Sequence, residues 1–456
     1  MIDGVDDTIC AIATPVGYGG IGIIRLSGSA SVFILRRLID QDIDLQARYV
    51  YLKPIYRYQS DEMLDQACVI VFKSPQSYTG QDVVEIQSHS SPYVLREILL
   101  TCVSYGARLA LQGEFTKRAF INGKLNLTQA ESVIDLIHSD TSKSHRVALS
   151  HLKGRLYEYI LSISEPIQHI LEHIEATIDF PDEVGAIDRK DVLNKCHQCI
   201  QSLKQVLSYQ DYGPMVLGGV NVLIVGRPNV GKSSLFNALL NQDRAIVSDI
   251  PGTTRDYIEL SYDYNGMKFN LLDSAGMRQS EDPVELKGIE SIHQLIEKAH
   301  ILCWCLDQSE PLTEDDLRVY QQIQERDNVV ICFTKHDCVH QLSIADLNSF
   351  SYVNHCFFSI YHKEACDELK LIFSQLIESN RSDLDLDLLC NIRQKTVLES
   401  ILVRLIQLVK SIQESEFDDL LVIELQQILL LCSEFNGDTL NESVLDGIFS
   451  RFCVGK

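Results

Sequence analysis

Apolar positions change their spacing several times along the chain, and each change predicts a different kind of element. Residues 1 to about 120 hold short β-like runs, among them Val69-Ile70-Val71-Phe72 and Val83-Val84-Glu85-Ile86, between glycine-bearing turns and short helices. That mixture predicts an α+β domain. From about 122 to 215 the apolar positions recur at helical spacing, as in Leu127 to His138 and Leu156 to Ile178. Phe180-Pro181-Asp182-Glu183 interrupts this stretch once. Residues 218 to 379 alternate buried β runs with helical runs, the pattern of a parallel sheet covered by helices. Residues 384 to 456 return to long amphipathic helices. The order helical, α/β, helical predicts an insertion. An α/β unit would sit inside one all-α domain whose two segments pack together, which requires only that the insert's ends lie close. The expected segments are 1-121, 122-217, 218-379 and 380-456.

Length and composition fit this multidomain picture. The chain has 456 residues, 45% hydrophobic and 23% charged, which excludes a largely disordered or collagenous class. Apolar runs such as Ile428-Leu429-Leu430-Leu431-Cys432 fall far short of the ~18 residues needed to span a bilayer, so no membrane association is expected. The start, Met1-Ile2-Asp3-Gly4-Val5-Asp6-Asp7, is acidic and lacks a secretory pattern, so a cytoplasmic location is expected. Sixty-three acidic residues against 40 basic ones give a formal charge of −23. A surface that binds polyanions all over is thereby excluded, and nucleic acid must meet a local patch or a partner. Lys143, His145, Arg146, His151, Lys153 and Arg155 form one such patch or, equally, a solvated helix face. The 14 cysteines are expected to be reduced and to pack as small hydrophobes.

The strongest chemical signal follows the run Val220-Asn221-Val222-Leu223-Ile224-Val225. Gly226-Arg227-Pro228-Asn229-Val230-Gly231-Lys232-Ser233 fits G-x-x-x-x-G-K-[ST] between a buried strand and the helix opened by Ser234. Backbone N–H groups of such a loop cradle phosphates, Lys232 reaches the β and γ oxygens, and Ser233 ligates Mg²⁺. Further along, Asp273-Ser274-Ala275-Gly276 ends a β run that follows the turn signal Asn265-Gly266. Asp273 is the expected Mg²⁺ partner, direct or through water, and the Gly276 N–H can sense the γ-phosphate. Between them lies Pro251-Gly252-Thr253-Thr254-Arg255-Asp256, where a threonine can ligate Mg²⁺ only while the γ-phosphate is present. Val329 to Phe333 leads into Thr334-Lys335-His336-Asp337. Asp337 can accept from guanine N1–H and N2–H₂, a donor pair that adenine lacks. The order of these elements predicts a GTPase.

These blocks, with Asp249-Ile250 before Pro251 and the final Phe452-Cys453-Val454-Gly455-Lys456, resemble the MnmE (TrmE) family of bacterial tRNA modification GTPases. The resemblance extends through Ala13-Thr14-Pro15, Gly19 to Gly28, Ser77 to Glu85 and Gly113 to Phe120. It implies a potassium-activated GTPase. K⁺ would be held by Asn229, Ser248, Ile250 and Thr253, and Mg²⁺ by Ser233 and Thr254. The loop Ser248-Asp249-Ile250-Pro251-Gly252-Thr253 would form when two such domains face each other. Met277 stands where Ras-like switches place glutamine. The resemblance implies that Glu285, twelve residues beyond Asp273, positions the water. Lys232 and Thr254 complete the implied catalytic set. The resemblance also implies that segment 1-121 is a tetrahydrofolate-binding-like dimerisation domain. Arg25, Glu85, Lys124 and Lys456 would contact a 5-formyl- or methylene-tetrahydrofolate one-carbon donor, and Cys453 is a candidate catalytic thiol. Implied partners are a second copy, an FAD- and NADH-dependent MnmG protein in a heterotetramer, and tRNA. The implied product is a carboxymethylaminomethyl-type group at C5 of wobble uridine.

Four departures from the family pattern stand out. Thr334 replaces the usual asparagine, and its hydroxyl can still bond the phosphate loop. Ser359-Ile360-Tyr361 replaces Ser-Ala-Arg/Lys, where backbone contact to guanine O6 is expected. Tyr18 replaces an arginine, and Ser88, Ser90 and Ser91 replace glycines. Rival readings are a ribosome-assembly or regulatory GTPase switch and a folate transferase with a vestigial G domain. The acidic helical C-terminus argues against the first; intact Lys232, Ser233, Thr254 and Asp273 argue against the second. His169-Ile170-Leu171-Glu172-His173 lacks a third zinc ligand, and Cys196-His197-Gln198-Cys199 lacks a second cysteine pair. Neither is read as a metal site.

Overall fold

Period-two alternation builds the first sheet. In Val83-Val84-Glu85-Ile86, Val84 and Ile86 turn to one face and Glu85 to the other, as strand geometry dictates. The computed structural model describes residues 7–15, 17–40, 43–180, 188–241, 259–273, 294–342, 354–362, 364–378, 385–414, 418–439 and 442–456. The chain divides into two compact units, each drawn from separate segments. The first comprises Met1–Ile134, His151–Ile187 and Phe417–Lys456; the second comprises Asp135–Ser150 and Asp188–Glu416.

The first unit runs β1 (Ile9–Ile12), β2 (Gly19–Ser27), α1 (Ser31–Leu38), β3 (Val50–Tyr56), β4 (Met63–Phe72), β5 (Val83–Ser90), α2 (Pro92–Ser104), β6 (Arg108–Leu109) and α3 (Glu114–Ile121). The sheet order is β3-β4-β5-β2-β1-β6, and its pairs are antiparallel except β1 with β6. Ile34, Leu35, Leu38, Ile98 and Cys102 of the two helices bury one face against Ile24, Leu26, Val69, Val71, Val84 and Ile86. Alternation therefore leaves Arg25, Glu85 and Ile70 on the opposite face. α4 (Leu127–Ile137) follows, then α5 (Ser142–Leu152), most of which belongs to the second unit, and α6 (Arg155–Asp179), which belongs to the first, before the chain continues into the second unit.

The second unit contains α7 (Arg189–Leu207), α8 (Gly213–Gly218), β7 (Val220–Val225), α9 (Lys232–Asn241), β8 (Glu259–Tyr264), β9 (Met267–Asp273), β10 (Ile301–Asp307), α10 (Glu314–Ile323), β11 (Val329–Thr334), β12 (His355–Phe357), α11 (Glu364–Glu378) and α12 (Ile392–Gln413). The strand order is β12-β11-β10-β7-β9-β8. All pairs are parallel except the β8–β9 hairpin. Asn265 and Gly266 turn that hairpin with φ of 52° and 76°, the left-handed pair a type I′ turn requires. Every residue of β10 and β11 is buried, as expected of strands covered on both faces. Trp304 and Phe333 fill one face; Cys303, Cys305, Cys332 and Cys356 fill the other. The thiols of Cys303, Cys305 and Cys332 lie within 4.8 Å of one another. α7 packs on α12 in this unit.

The chain then returns to the first unit with α13 (Asp418–Asn436), which packs on α6, and α14 (Glu442–Phe449), which packs on α3. Phe449 and Phe452 bury against Leu127 and Ala130. Among the described residues no helix is long and apolar enough to cross a membrane. Of all the cysteines, Cys338 and Cys453 alone are exposed and Cys68 is intermediate; the rest are buried.

Candidate nucleotide and one-carbon sites

The phosphate loop is shaped by residues that tolerate left-handed backbone. Gly226, Asn229 and Gly231 have φ of 150°, 65° and 98°. A Cβ on Gly226 would stand 2.6 Å from the Cys305 carbonyl oxygen of the neighbouring strand, so only glycine fits there. Strand β7 delivers the loop, and α9 begins at Lys232 with Ser233 and Ser234 exposed in its first turn. Lys232 Nζ curls over the loop and donates to the carbonyls of Gly226 at 2.9 Å and Arg227 at 2.7 Å. Val230 is buried beneath.

The base loop meets the phosphate loop through Thr334. Its buried hydroxyl lies in hydrogen-bond contact with the Val230 carbonyl and with Leu306 O at 3.0 Å. The threonine thus keeps a tie to the phosphate loop in the asparagine position. Replacing Thr334 with valine keeps the volume but removes the single O–H proton that the two carbonyls share. We expect a loss of about 1–3 kcal/mol in stability, read as a lower urea midpoint at unchanged slope. An unchanged midpoint would show the hydroxyl to be dispensable.

Lys335, at φ 56°, donates through Nζ to Asp307 at 2.5 Å. Burial would raise the Asp307 carboxyl, but donors from Lys335 and Ser309 outweigh it and hold the group below the usual range. Arg227 reaches the same acidic edge, 2.5 Å from Glu310 and 3.3 Å from Asp316. Asp337 Oδ1 accepts from Ser359 Oγ at 2.6 Å, and the Tyr361 N–H donates to that hydroxyl at 3.2 Å. Ile360 is exposed beside them. Asp273 closes β9, its Cα in register with Ile224. Ser248, Asp249, Ile250, Pro251, Gly252, Thr253, Thr254, Ser274, Ala275, Gly276 and Glu285 lie outside the described residues.

In the first unit, neighbouring strands bring Arg25 and Glu85 side by side. Arg25 Nε and Nη2 donate to Glu85 Oε1 at 3.0 and 2.9 Å. Nη1 donates to Gly455 O at 3.4 Å, and the guanidinium lies 5.8 Å from the Tyr78 ring and 5.7 Å from the Phe115 ring. The C-terminal segment reaches this place along β1. A Cβ on Gly455, at φ 97°, would stand 2.4 Å from Ile12 O, so the close approach requires glycine. Phe115 N–H donates to Lys456 O at 3.2 Å. Burial pushes the Lys456 ammonium below its usual range, Arg25 adds to this, and Glu85 and Cys453 oppose it. Arg25, Glu85 and Lys456 thus converge. Lys124 stands apart from their hydrogen bonds, donating to Pro75 O at 3.1 Å.

The substituted serines are accommodated. Ser88 and Ser90 are buried, and Ser90 Oγ donates to Gly17 O at 3.0 Å, fastening the strap that carries the exposed Tyr18. The basic stretch is largely neutralised. Lys143 donates to Glu378 at 2.5 Å, Arg146 lies 3.4 Å from Asp387, Arg155 lies 3.4 Å from Glu158, and His151 is buried. Cys196 and Cys199 are buried in α7 as packing residues, and His169 and Glu172 sit exposed on α6. Asp307 escaped the reading of the sequence, and Tyr78 and Phe115, though inside the blocks Ser77 to Glu85 and Gly113 to Phe120, received no role there, because each joins its site through strand order or tail placement.

A model of the GTP-binding protein TrmE N-terminus matches residues 8–124, and a model of the MnmE helical domain matches residues 127–453. The chain is 38% identical over 460 residues to the tRNA modification GTPase MnmE of Caldicellulosiruptor saccharolyticus, covering 99% of each. It is 36% identical over 453 residues to that of Aquifex aeolicus, covering 99% of this chain and 100% of the other. Among solved structures, the G domain of the T. maritima FeoB iron transporter is 26% identical, covering 34% of this chain and 98% of that one, with a TM-score of 0.28. A glycine-shaped phosphate loop, a base loop tied to it, and likeness along nearly the whole length of curated relatives agree: the chain belongs to the MnmE (TrmE) family of tRNA modification GTPases.

Proposed function

We propose that this chain hydrolyses GTP to GDP and phosphate and that turnover drives modification at C5 of wobble uridine in tRNA. The observation that carries the reading is the tie of Thr334 to Val230, which joins phosphate recognition and base recognition in one unit. In this reading, segment 218-379 is a G domain inserted between helical segments 122-217 and 380-456. Segment 1-121 mediates a homodimer and holds a 5-formyl- or methylene-tetrahydrofolate through Arg25, Glu85, Lys124 and Lys456, with Cys453 beside it. The FAD- and NADH-dependent MnmG protein completes a cytoplasmic heterotetramer.

The family resemblance supplies these roles, and the chemistry of each residue suits its own. Loop N–H groups and Lys232 bind the triphosphate and orient its γ-group. Ser233, exposed in the first turn of α9, presents a hydroxyl oxygen suited to a hard cation, and Thr254 would join it on Mg²⁺. Asn229 is exposed and left-handed at the loop, and its amide oxygen suits K⁺ beside Ser248, Ile250 and Thr253. When bound, these cations offset charge building on the phosphates, the part an arginine finger plays elsewhere for ~10³–10⁵ in rate. Glu285 would orient the attacking water.

Purified protein is expected to hydrolyse GTP and leave ATP untouched, with a rate in KCl well above that in NaCl. Equal rates in the two salts would remove K⁺ from the mechanism. Wobble-uridine nucleosides from a deletion strain, with and without the complementing gene, test the tRNA step. Unchanged modification in the deletion would end that reading.

A further inference from the structure

The open face of the first sheet carries four residues in direct lateral register. Arg25 pairs with Glu85, Glu85 with Ile70, and Ile70 with Val50. Three strand steps separate the ends of this row, roughly 14 Å at ~4.8 Å per step. Val50, Ile70 and Phe72 line an open hollow of about 640 Å³, together with Tyr78, Arg48 and Lys124. Tyr78 belongs to both places: it lines the hollow, and its ring lies 5.8 Å from the Arg25 guanidinium. Thus a polar, charge-paired end at Arg25 and Glu85 continues into an apolar floor with two cations beside it.

Those two cations differ from others on the same domain. Arg25, Arg57, Lys73 and Arg108 each meet a carboxylate. Arg48 Nη2 instead donates to Gln76 O at 2.9 Å and Lys124 Nζ to Pro75 O at 3.1 Å, and among the described residues neither meets an acid. Two uncompensated positive charges in one hollow repel each other and attract an anion. Arg48 also holds φ 62°, a left-handed backbone that disfavours any residue with a Cβ. Its N–H donates to Val71 O at 2.7 Å, which holds the turn in place.

We propose that Arg48 and Lys124 form a subsite for the anionic glutamyl tail of a reduced folate that lies along this row. The pterin meets Glu85 and Arg25, the aryl ring crosses Ile70 and Val50, and the tail carboxylates reach the two cations. The inference rests on the folate reading above and adds Arg48 and a preference for longer tails. The floor supplies contact without charge, and the cations supply charge-assisted hydrogen bonds.

Calorimetry on the full-length protein tests it with three ligands: 5-formyltetrahydropteroate, which has no glutamate, and the mono- and pentaglutamyl forms of 5-formyltetrahydrofolate. Affinity is expected to rise in that order, by about ten- to hundredfold from first to last, and the gain should shrink at high salt. Arg48→Gln is expected to remove about tenfold of the pentaglutamyl gain while pteroate binds as before. Equal weakening of pteroate and pentaglutamate by Arg48→Gln would assign the arginine a structural role and overturn the proposal. Binding that ignores tail length would overturn the proposal and leave the folate reading standing. No binding of any of the three would overturn both.

Discussion

Replacing Asp337 with asparagine is expected to turn a guanine site into a xanthine site. The carboxylate is well prepared to accept: its hydrogen bond from Ser359 holds the carboxyl below its usual range, so it is ionised at neutral pH. Guanine offers N1–H and N2–H₂, two donors for one carboxylate. An asparagine amide sets an N–H against one of those donors, whereas the C2 carbonyl of xanthine accepts from it. Hydrogen bonds to charged groups contribute about 1.5–3 kcal/mol each. Losing one of them corresponds to roughly 10–10² in kcat/KM for GTP, at ~1.4 kcal/mol per decade, and the opposed donors add to that loss. Turnover with xanthosine triphosphate should rise as turnover with GTP falls. A variant that still prefers GTP would place base recognition elsewhere.

Lys232→Ala is expected to lower single-turnover GTP hydrolysis by about 10²–10³, the usual cost of deleting one donor that faces developing charge. The ammonium stands at the start of α9, and its contacts include the carbonyls of Gly226 and Arg227. The loop keeps its shape without it, because Gly226, Asn229 and Gly231 hold the left-handed turns and Thr334 holds Val230. Thermal unfolding should therefore change little while turnover collapses. Full turnover in the variant would contradict the assigned role.

The nucleotide site was legible in the sequence where its geometry is local. A strand, a glycine loop and a helix are consecutive, and the short run from Thr334 to Asp337 follows a strand that must end at the same sheet edge. The hairpin at Asn265-Gly266 was legible for the same reason. What joins these pieces was not. Thr334 finds its acceptors 104 and 28 positions away, and that depends on strand order. The α+β character of the first domain followed from alternation, yet Arg25 meets Gly455 across 430 positions. Only the family resemblance brought the tail into that site. Arg48 carried no signal at all: it sits in a turn whose left-handed backbone would ordinarily advertise glycine.

The distribution of thiols has a practical side. With Cys338 and Cys453 the only exposed cysteines, a bulky maleimide dye added to folded protein should attach at two places. One adjoins Asp337 and the other lies three residues from Lys456, so each candidate pocket comes with its own native handle for fluorescence. Serine substitution of either cysteine would leave a single reporter, and nucleotide and folate occupancy could then be followed separately by titration without engineering a new attachment point.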